Sequence, residues 1–82
     1  MRIRIRWMAV LRDRMGTVES ELELPAGARV HDLIRVLGDE RPDLAPYWQT
    51  IRFALEDAYL GPEDPVPEGE VIYAIPPVSG GV

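Results

Sequence analysis

Residues 1–8, Met-Arg-Ile-Arg-Ile-Arg-Trp-Met, alternate between polar and apolar side chains. A period of two belongs to a strand with one buried face, so Ile3, Ile5 and Trp7 are expected inside and Arg2, Arg4 and Arg6 outside. Residues 17–24 repeat the pattern, with Val18, Leu22 and Leu24 inward and Glu19, Glu21 and Glu23 outward. Gly16 lies between the two runs and suits a turn. The pair therefore reads as an antiparallel hairpin whose outer face sets three Arg against three Glu. Opposite charges across strands contribute about 0.2–1 kcal/mol per pair and help to fix register.

After Pro25-Ala26-Gly27 the period changes. Val30, Leu33, Ile34 and Leu37 recur at i, i+3, i+4 and i+7, which predicts a helix over 30–41. Asp32 suits the positive end of its dipole, Arg41 the negative end, and Pro42 forbids continuation. Residues 43–50, with Pro46, Tyr47 and Trp48, read as a short turn folding back across the core. Residues 51–55 predict a third strand and Tyr59-Leu60 a short fourth. Gly61 to Pro65 form a loop, and Pro67-Glu68-Gly69-Glu70 a tight turn. Residues 71–75, Val-Ile-Tyr-Ala-Ile, are apolar on both faces, the mark of a central strand or of one with a covered outer face. This order predicts an α+β domain with a mixed sheet of four to five strands and one main helix packed across it. With the first and last strands as central neighbours, that is the β-grasp, or ubiquitin-like, arrangement. The domain is expected over 1–75, followed by an extended tail over 76–82.

Composition narrows the chemistry. The 82 residues are 46% hydrophobic and 28% charged, enough apolar material for one modest core. All nine basic residues are Arg, against 14 acidic ones, for a formal net charge of −5. That balance argues against nucleic acid and anionic membranes as partners, since phosphate attraction needs a positive surface. Without Cys there is no disulfide, thiolate metal site or thiol nucleophile, and one His cannot build a histidine metal site, so no metal is expected. No apolar run is long enough to span a bilayer, and Arg2, Arg4 and Arg6 interrupt any signal-like start; a soluble cytoplasmic domain is expected. His31, near a helix start, reads as a solvated or capping residue rather than a general base. The adjacent Glu56 and Asp57 fit a hairpin turn better than a catalytic pair. Tyr47, Trp48, Tyr59 and Tyr73 read as core or cluster residues, and no Gly-rich phosphate loop opens a helix. The body looks like a scaffold with no bound cofactor.

The chemistry-bearing feature is the tail. Seven residues beyond the last strand reach roughly 20–25 Å when extended. Pro76 and Pro77 bias the exit toward stiff polyproline II geometry, and Gly80 and Gly81 make a tip without side chains. A stiff stem with a thin tip can thread a narrow channel in a partner and present a backbone carboxylate there.

The whole chain resembles the small subunits of molybdopterin synthase, the MoaD-type branch of the ubiquitin-like sulfur carriers. The resemblance lies in the opening Ile-Arg-Ile strand with Met8-Ala9-Val10-Leu11-Arg12-Asp13, in Val30 and Leu33 of the helix, and in Phe53-Ala54-Leu55. It continues through Pro67-Glu68-Gly69-Glu70-Val71 to Ile75-Pro76-Pro77-Val78-Ser79-Gly80-Gly81, the most specific stretch. It implies that a ubiquitin-activating-like enzyme uses ATP to adenylate the Gly81 carboxylate, and that a sulfur donor protein then converts it to a thiocarboxylate. The tail would insert into the large synthase subunit and give sulfur to cyclic pyranopterin monophosphate, with catalytic side chains supplied by that subunit. Pro76, Pro77, Val78, Ser79, Gly80 and Gly81 are then the partner-binding residues of the tail. An outer face near Ile72 and Ala74, with Met8 adjacent, is expected to dock the partner; Phe53 fits that face or ordinary sheet packing equally.

Two positions depart from the family pattern. Glu56 stands where the family commonly has Asn, which touches a hairpin turn. Val82 follows Gly81, so the Gly81 carbonyl is held in a peptide bond. Removal of Val82, a place within a fusion, or loss of the carrier role all remain open, and the unprocessed chain is not expected to be thiocarboxylated. Rival readings are a sulfur carrier for tRNA thiolation, thiamine or cysteine synthesis, a ubiquitin-like protein modifier, and a purely structural interaction domain. With no Lys, no side chain here can accept an isopeptide bond; with no Cys, carried sulfur must sit on the terminal carbonyl.

Overall fold

Alternation in the first six-residue strand drives the architecture seen in a computed structural model, which describes residues 1–77. Strand β1 (Arg2–Trp7) buries Ile3, Ile5 and Trp7 and exposes its three Arg. It pairs antiparallel with β2 (Glu19–Glu23), with Arg2 opposite Glu23, Arg4 opposite Glu21 and Arg6 opposite Glu19. The expected charge lattice forms with a diagonal element. Arg2 Nε lies 3.0 Å from Glu23 and Arg6 Nη2 3.1 Å from Glu19, while Arg4 Nε reaches Glu19 at 3.6 Å rather than its direct partner Glu21. The Trp7 indole N–H donates to Ser20 Oγ at 2.9 Å, so the ring is buried with its polar atom satisfied.

The connection between these strands differs from the expected turn. Helix α1 (Val10–Met15) intervenes, and Gly16, at φ 75°, is its left-handed C-cap. Six residues with only Leu11 buried are too short to show a helical period. Val18, expected inside, is 51% exposed because pairing in β2 begins one residue later. Leu24 is buried just beyond the strand, and Leu22 packs at the edge of the core.

Helix α2 (Val30–Glu40) lies where the period places it, with Val30, Leu33 and Leu37 buried. The Arg29 N–H donates to Asp32 Oδ2 at 2.9 Å, satisfying one of the orphan donors at the helix start. That hydrogen bond, followed by the charges of His31 and Arg35, holds the Asp32 carboxyl below its ordinary value. The expected turn after Pro42 is a 3₁₀ turn (Pro42–Leu44) running into a single-turn helix α3 (Ala45–Trp48). Trp48 packs against Trp7 with ring centroids 6.0 Å apart and donates its indole N–H to the Arg41 carbonyl at 2.9 Å.

Strands β3 (Arg52–Ala54), β4 (Tyr59–Leu60) and β5 (Val71–Ile75) complete a five-stranded mixed sheet in the order β2-β1-β5-β3-β4. As expected, the last strand is a central neighbour of the first; the two run parallel, with Ile5 opposite Ile72 and Trp7 opposite Ala74. Gly69 turns the chain into β5 at φ 84°. All the layers meet in one core beneath α2, to which α1 adds Leu11, β3 adds Phe53 and the 61–70 connection adds Val66. The ubiquitin-like β-grasp is therefore the fold of this chain.

Two outcomes follow from the packing. Ile5 and its neighbour Ile72 are fully buried. Ile5→Val should cost about 0.5–1.5 kcal/mol in urea unfolding with an unchanged m value. Asp32 has its pKa lowered by folding, so its charge stabilises the fold above the unfolded value of 3.8 and that contribution is lost as pH falls through the lower folded value. Asp32→Asn should accordingly reduce Tm most at neutral pH, and the gap to the wild-type protein should close on acidification.

Candidate docking face and tail root

The tail grows out of the best-anchored strand. β5 is hydrogen-bonded to β1 on one side and β3 on the other, and the Met8 N–H extends the pairing by donating to the Ala74 carbonyl at 3.1 Å. Its inward residues, Ile72 and Ala74, are fully buried. This corrects the expectation that they form the outer docking face. The parallel register puts them beside Ile5 and Trp7, whose side chains already point under α2, so they belong to the core. Phe53, opposite Ala74, is buried with them and resolves to sheet packing.

The same alternation carries one residue further. Pro76 is buried by this chain and so is not a free contact surface, while Pro77 is exposed. Val78, Ser79, Gly80, Gly81 and Val82 lie outside the described residues.

The outward residues of β5 are Val71, Tyr73 and Ile75, all half-buried. Cross-strand pairing lays out what surrounds them. Tyr73 stands between Arg6 on β1 and Ala54 on β3, and Ala54 in turn faces Tyr59 on β4. Ile75 stands opposite Arg52, and Met8, one residue past the Trp7–Ala74 couple, continues β1 on its other side. Tyr59 is 69% exposed and Met8 38%. The outer face is thus divided: β1 and β2 carry the Arg–Glu lattice, whereas β5, β3 and β4 carry Ile75, Tyr73, Tyr59 and the exposed Arg52, with Met8 at the end of β1 beside them. Arg6 joins the halves, with its guanidinium carbon 6.0 Å from the centroid of the Tyr73 ring, the outer limit of a cation–π contact. Aromatic residues, Met and Arg in one patch are the side chains enriched where proteins meet.

Other candidates assemble no reacting constellation. His31 sits exposed at the start of α2, with Nδ1 3.4 Å from Asp32 and Nε2 3.5 Å from Glu63. Glu56 and Asp57 occupy the bend between β3 and β4. The concavity of about 370 Å³ between α2 and the β3–β4 edge has a floor of Val30, Ile34, Phe53 and Leu60, with Arg52 as its one charged lining residue. Among the described residues, no three His, Asp or Glu side chains come together as a metal site. Among them too, no helix is long and apolar enough to cross a membrane.

The outward set was hidden in the sequence because an uninterrupted Val-Ile-Tyr-Ala-Ile run does not reveal which face is covered. The signal that does assign it is the parallel partner: the residues of β5 level with Arg4 and Arg6 share their outward direction.

A β-grasp body whose central strand runs into Pro76-Pro77, with Gly80-Gly81 following in the sequence, has the layout of a ubiquitin-like protein. A model of the ThiS family matches residues 5–81. The chain is 34% identical over 83 residues to the molybdopterin synthase sulfur carrier subunit of Chlamydomonas reinhardtii, covering 99% of this chain and 100% of that one. It therefore belongs to the ThiS family, among the sulfur-carrier small subunits of molybdopterin synthase rather than the catalytic ones. A Pyrococcus furiosus protein assigned as subunit 1 of a molybdopterin converting factor superposes with a TM-score of 0.79 at 27% identity, covering 95% of this chain and 99% of that chain. A complex of subunits 1 and 2 of the molybdopterin-converting factor of Helicobacter pylori contains a chain of the same fold. Its TM-score is 0.62 at 22% identity, over 99% of this chain and 100% of that chain.

Proposed function

We propose that this chain carries sulfur as a thiocarboxylate on Gly81 and delivers it to cyclic pyranopterin monophosphate in the large subunit of molybdopterin synthase. The full-length identity to a sulfur carrier subunit is the observation that carries this reading. The Pro76-Pro77-Val78-Ser79-Gly80-Gly81 tail supplies the chemical means. Because Val82 follows Gly81, hydrolysis of that peptide bond comes first and frees the carboxylate. An activating enzyme then directs a carboxylate oxygen onto the α-phosphorus of ATP, and pyrophosphate leaves. Sulfide-level sulfur supplied by a donor protein attacks the carbonyl carbon, the bond to the AMP oxygen breaks and AMP leaves, and the resulting thiocarboxylate is a nucleophile at the chain end. The glycines leave that carbonyl unhindered.

The body docks through the outward patch of Met8, Ile75, Tyr73 and Tyr59. The Helicobacter pylori complex, in which subunit 1 is held by subunit 2, supports a large-subunit partner for the fold. No cofactor resides in this chain; ATP is consumed by the activating enzyme.

Incubation of the chain with its activating enzyme, ATP and a sulfur donor tests the chemistry by intact mass. The chain ending in Gly81 should gain the mass of one oxygen replaced by sulfur, and the chain retaining Val82 should not. A thiocarboxylate on the Val82-bearing chain, or none on the Gly81-ended chain, defeats the proposal. Isopeptide-linked adducts on other proteins mark a modifier instead, and thiocarboxylate without a synthase complex points to tRNA thiolation, thiamine or cysteine synthesis. For the docking face, Tyr59→Ser should change stability by less than about 0.5 kcal/mol, because the ring is 69% exposed. The same change should weaken capture of the large subunit by about tenfold, as expected for an interfacial aromatic anchor.

A further inference from the structure

We infer that Ala9 is a positioning residue for the docking face: its strained backbone turns the chain out of the sheet immediately after Met8 and holds Met8 beside Ile75 at the root of the tail. The inference rests on the reading of that face as the partner-binding surface.

Ala9 has φ 52° and ψ −129°, and among the described residues it is the one non-glycine with positive φ. The Leu11 N–H donates to the Met8 carbonyl at 3.1 Å, closing a four-residue turn with Ala9 at its first central position. Those torsions are those of a type II′ turn, whose first central position ordinarily takes glycine. A Cβ there is a cost, and such residues persist only where their surroundings over-determine them.

The surroundings do so from both sides. Before the turn, the Trp7 N–H donates to the Val18 carbonyl at 2.8 Å and the Met8 N–H to the Ala74 carbonyl at 3.1 Å. After it, the Arg12 N–H donates to the Ala9 carbonyl at 3.1 Å, and Leu11 is fully buried. The β1 ladder and the Leu11 anchor thus fix both ends, and Ala9 absorbs the mismatch between them.

Stability alone favours glycine at this position. What alanine provides is a turn with fewer accessible backbone states once its ends are held, whereas glycine occupies both halves of φ space readily. Met8, 38% exposed, is the last outward residue before the turn, level with the strand from which the tail departs. A side chain already fixed in its docking direction loses less freedom on binding.

A double-mutant cycle on the full chain tests this, with affinity for the synthase large subunit measured by calorimetry and Tm by thermal unfolding. Ala9→Gly should raise Tm by about 4 °C through relief of strain and weaken binding by about fivefold through loss of pre-organisation. In a Met8→Ala background the same substitution should raise Tm equally but change affinity less than about twofold, because Ala9 acts through Met8. The inference is overturned if Ala9→Gly lowers Tm, binds as tightly as wild type, or weakens binding equally without Met8. Wild-type protein that fails to bind the large subunit removes the docking reading and this inference with it, a result visible before any variant is made.

Discussion

The parallel pairing of β1 with β5 is the constraint on which the other features rest. It joins the two ends of the domain, so nearly the whole chain is a loop that must close before Ile5 meets Ile72. Such long-range closure is entropically costly and slow. The compensation is burial: Ile3, Ile5, Trp7, Ile72 and Ala74 are all at most 1% exposed beneath α2. Once formed, this pairing makes the last strand a central one, held by β1 and β3 together. The tail therefore emerges from the middle of the sheet rather than from an edge that could fray. A partner that grips the tail is mechanically coupled to the core.

The division of the outer face follows from the same register. Exposed Arg–Glu pairs contribute little each, with a median near 0–1 kcal/mol, so the lattice on β1 and β2 is not the main source of stability. Its effect is on alternatives. A slip of one residue in β1 would drive three guanidiniums under α2 and expose Ile3, Ile5 and Trp7. The β5–β3–β4 half needs no such device, because β5 is locked from both sides and Phe53 is buried opposite Ala74. Its outward residues are released from the task of specifying the fold and, Arg52 apart, are left with apolar and aromatic character.

Strict alternation made β1 and the charge register legible, and the i, i+3, i+4, i+7 spacing marked α2 almost to its ends. Both are cases in which a polar face and an apolar face are written as different residue types. The misreadings arise where that contrast fails. In Val-Ile-Tyr-Ala-Ile every residue is apolar, so Ile72 and Ala74 could be assigned inward only from their level beside Ile5 and Trp7. Helix α1 offers one buried side chain in six residues, and Gly16 serves equally as a turn residue or a left-handed cap. The torsions of Ala9 leave no trace at all, since alanine is unremarkable in almost every other context. The part proposed for the tail rests on composition alone, two prolines for stiffness and two glycines for access, because residues 78–82 lie outside the described residues.

The proposed thiocarboxylate carrier must remain inert until it is docked, and the groups among its described residues are distributed in keeping with that requirement. Cys and Lys, the two side chains that would most readily attack an activated carbonyl, are absent from all 82 residues. The α-amino group of Met1 donates to the Leu24 carbonyl at 2.6 Å and lies 3.8 Å from Glu23, partly buried beside β2. β1 and β5 are parallel, so Met1 lies at the end of the sheet away from the point where the tail leaves β5. His31 is occupied between Asp32 and Glu63 at the start of α2. The body thus brings no strong nucleophile to the tail root among its described residues. Under the proposed function, stability and recognition belong to the sheet, and reactivity to the Gly81 carbonyl rather than to any side chain of the body.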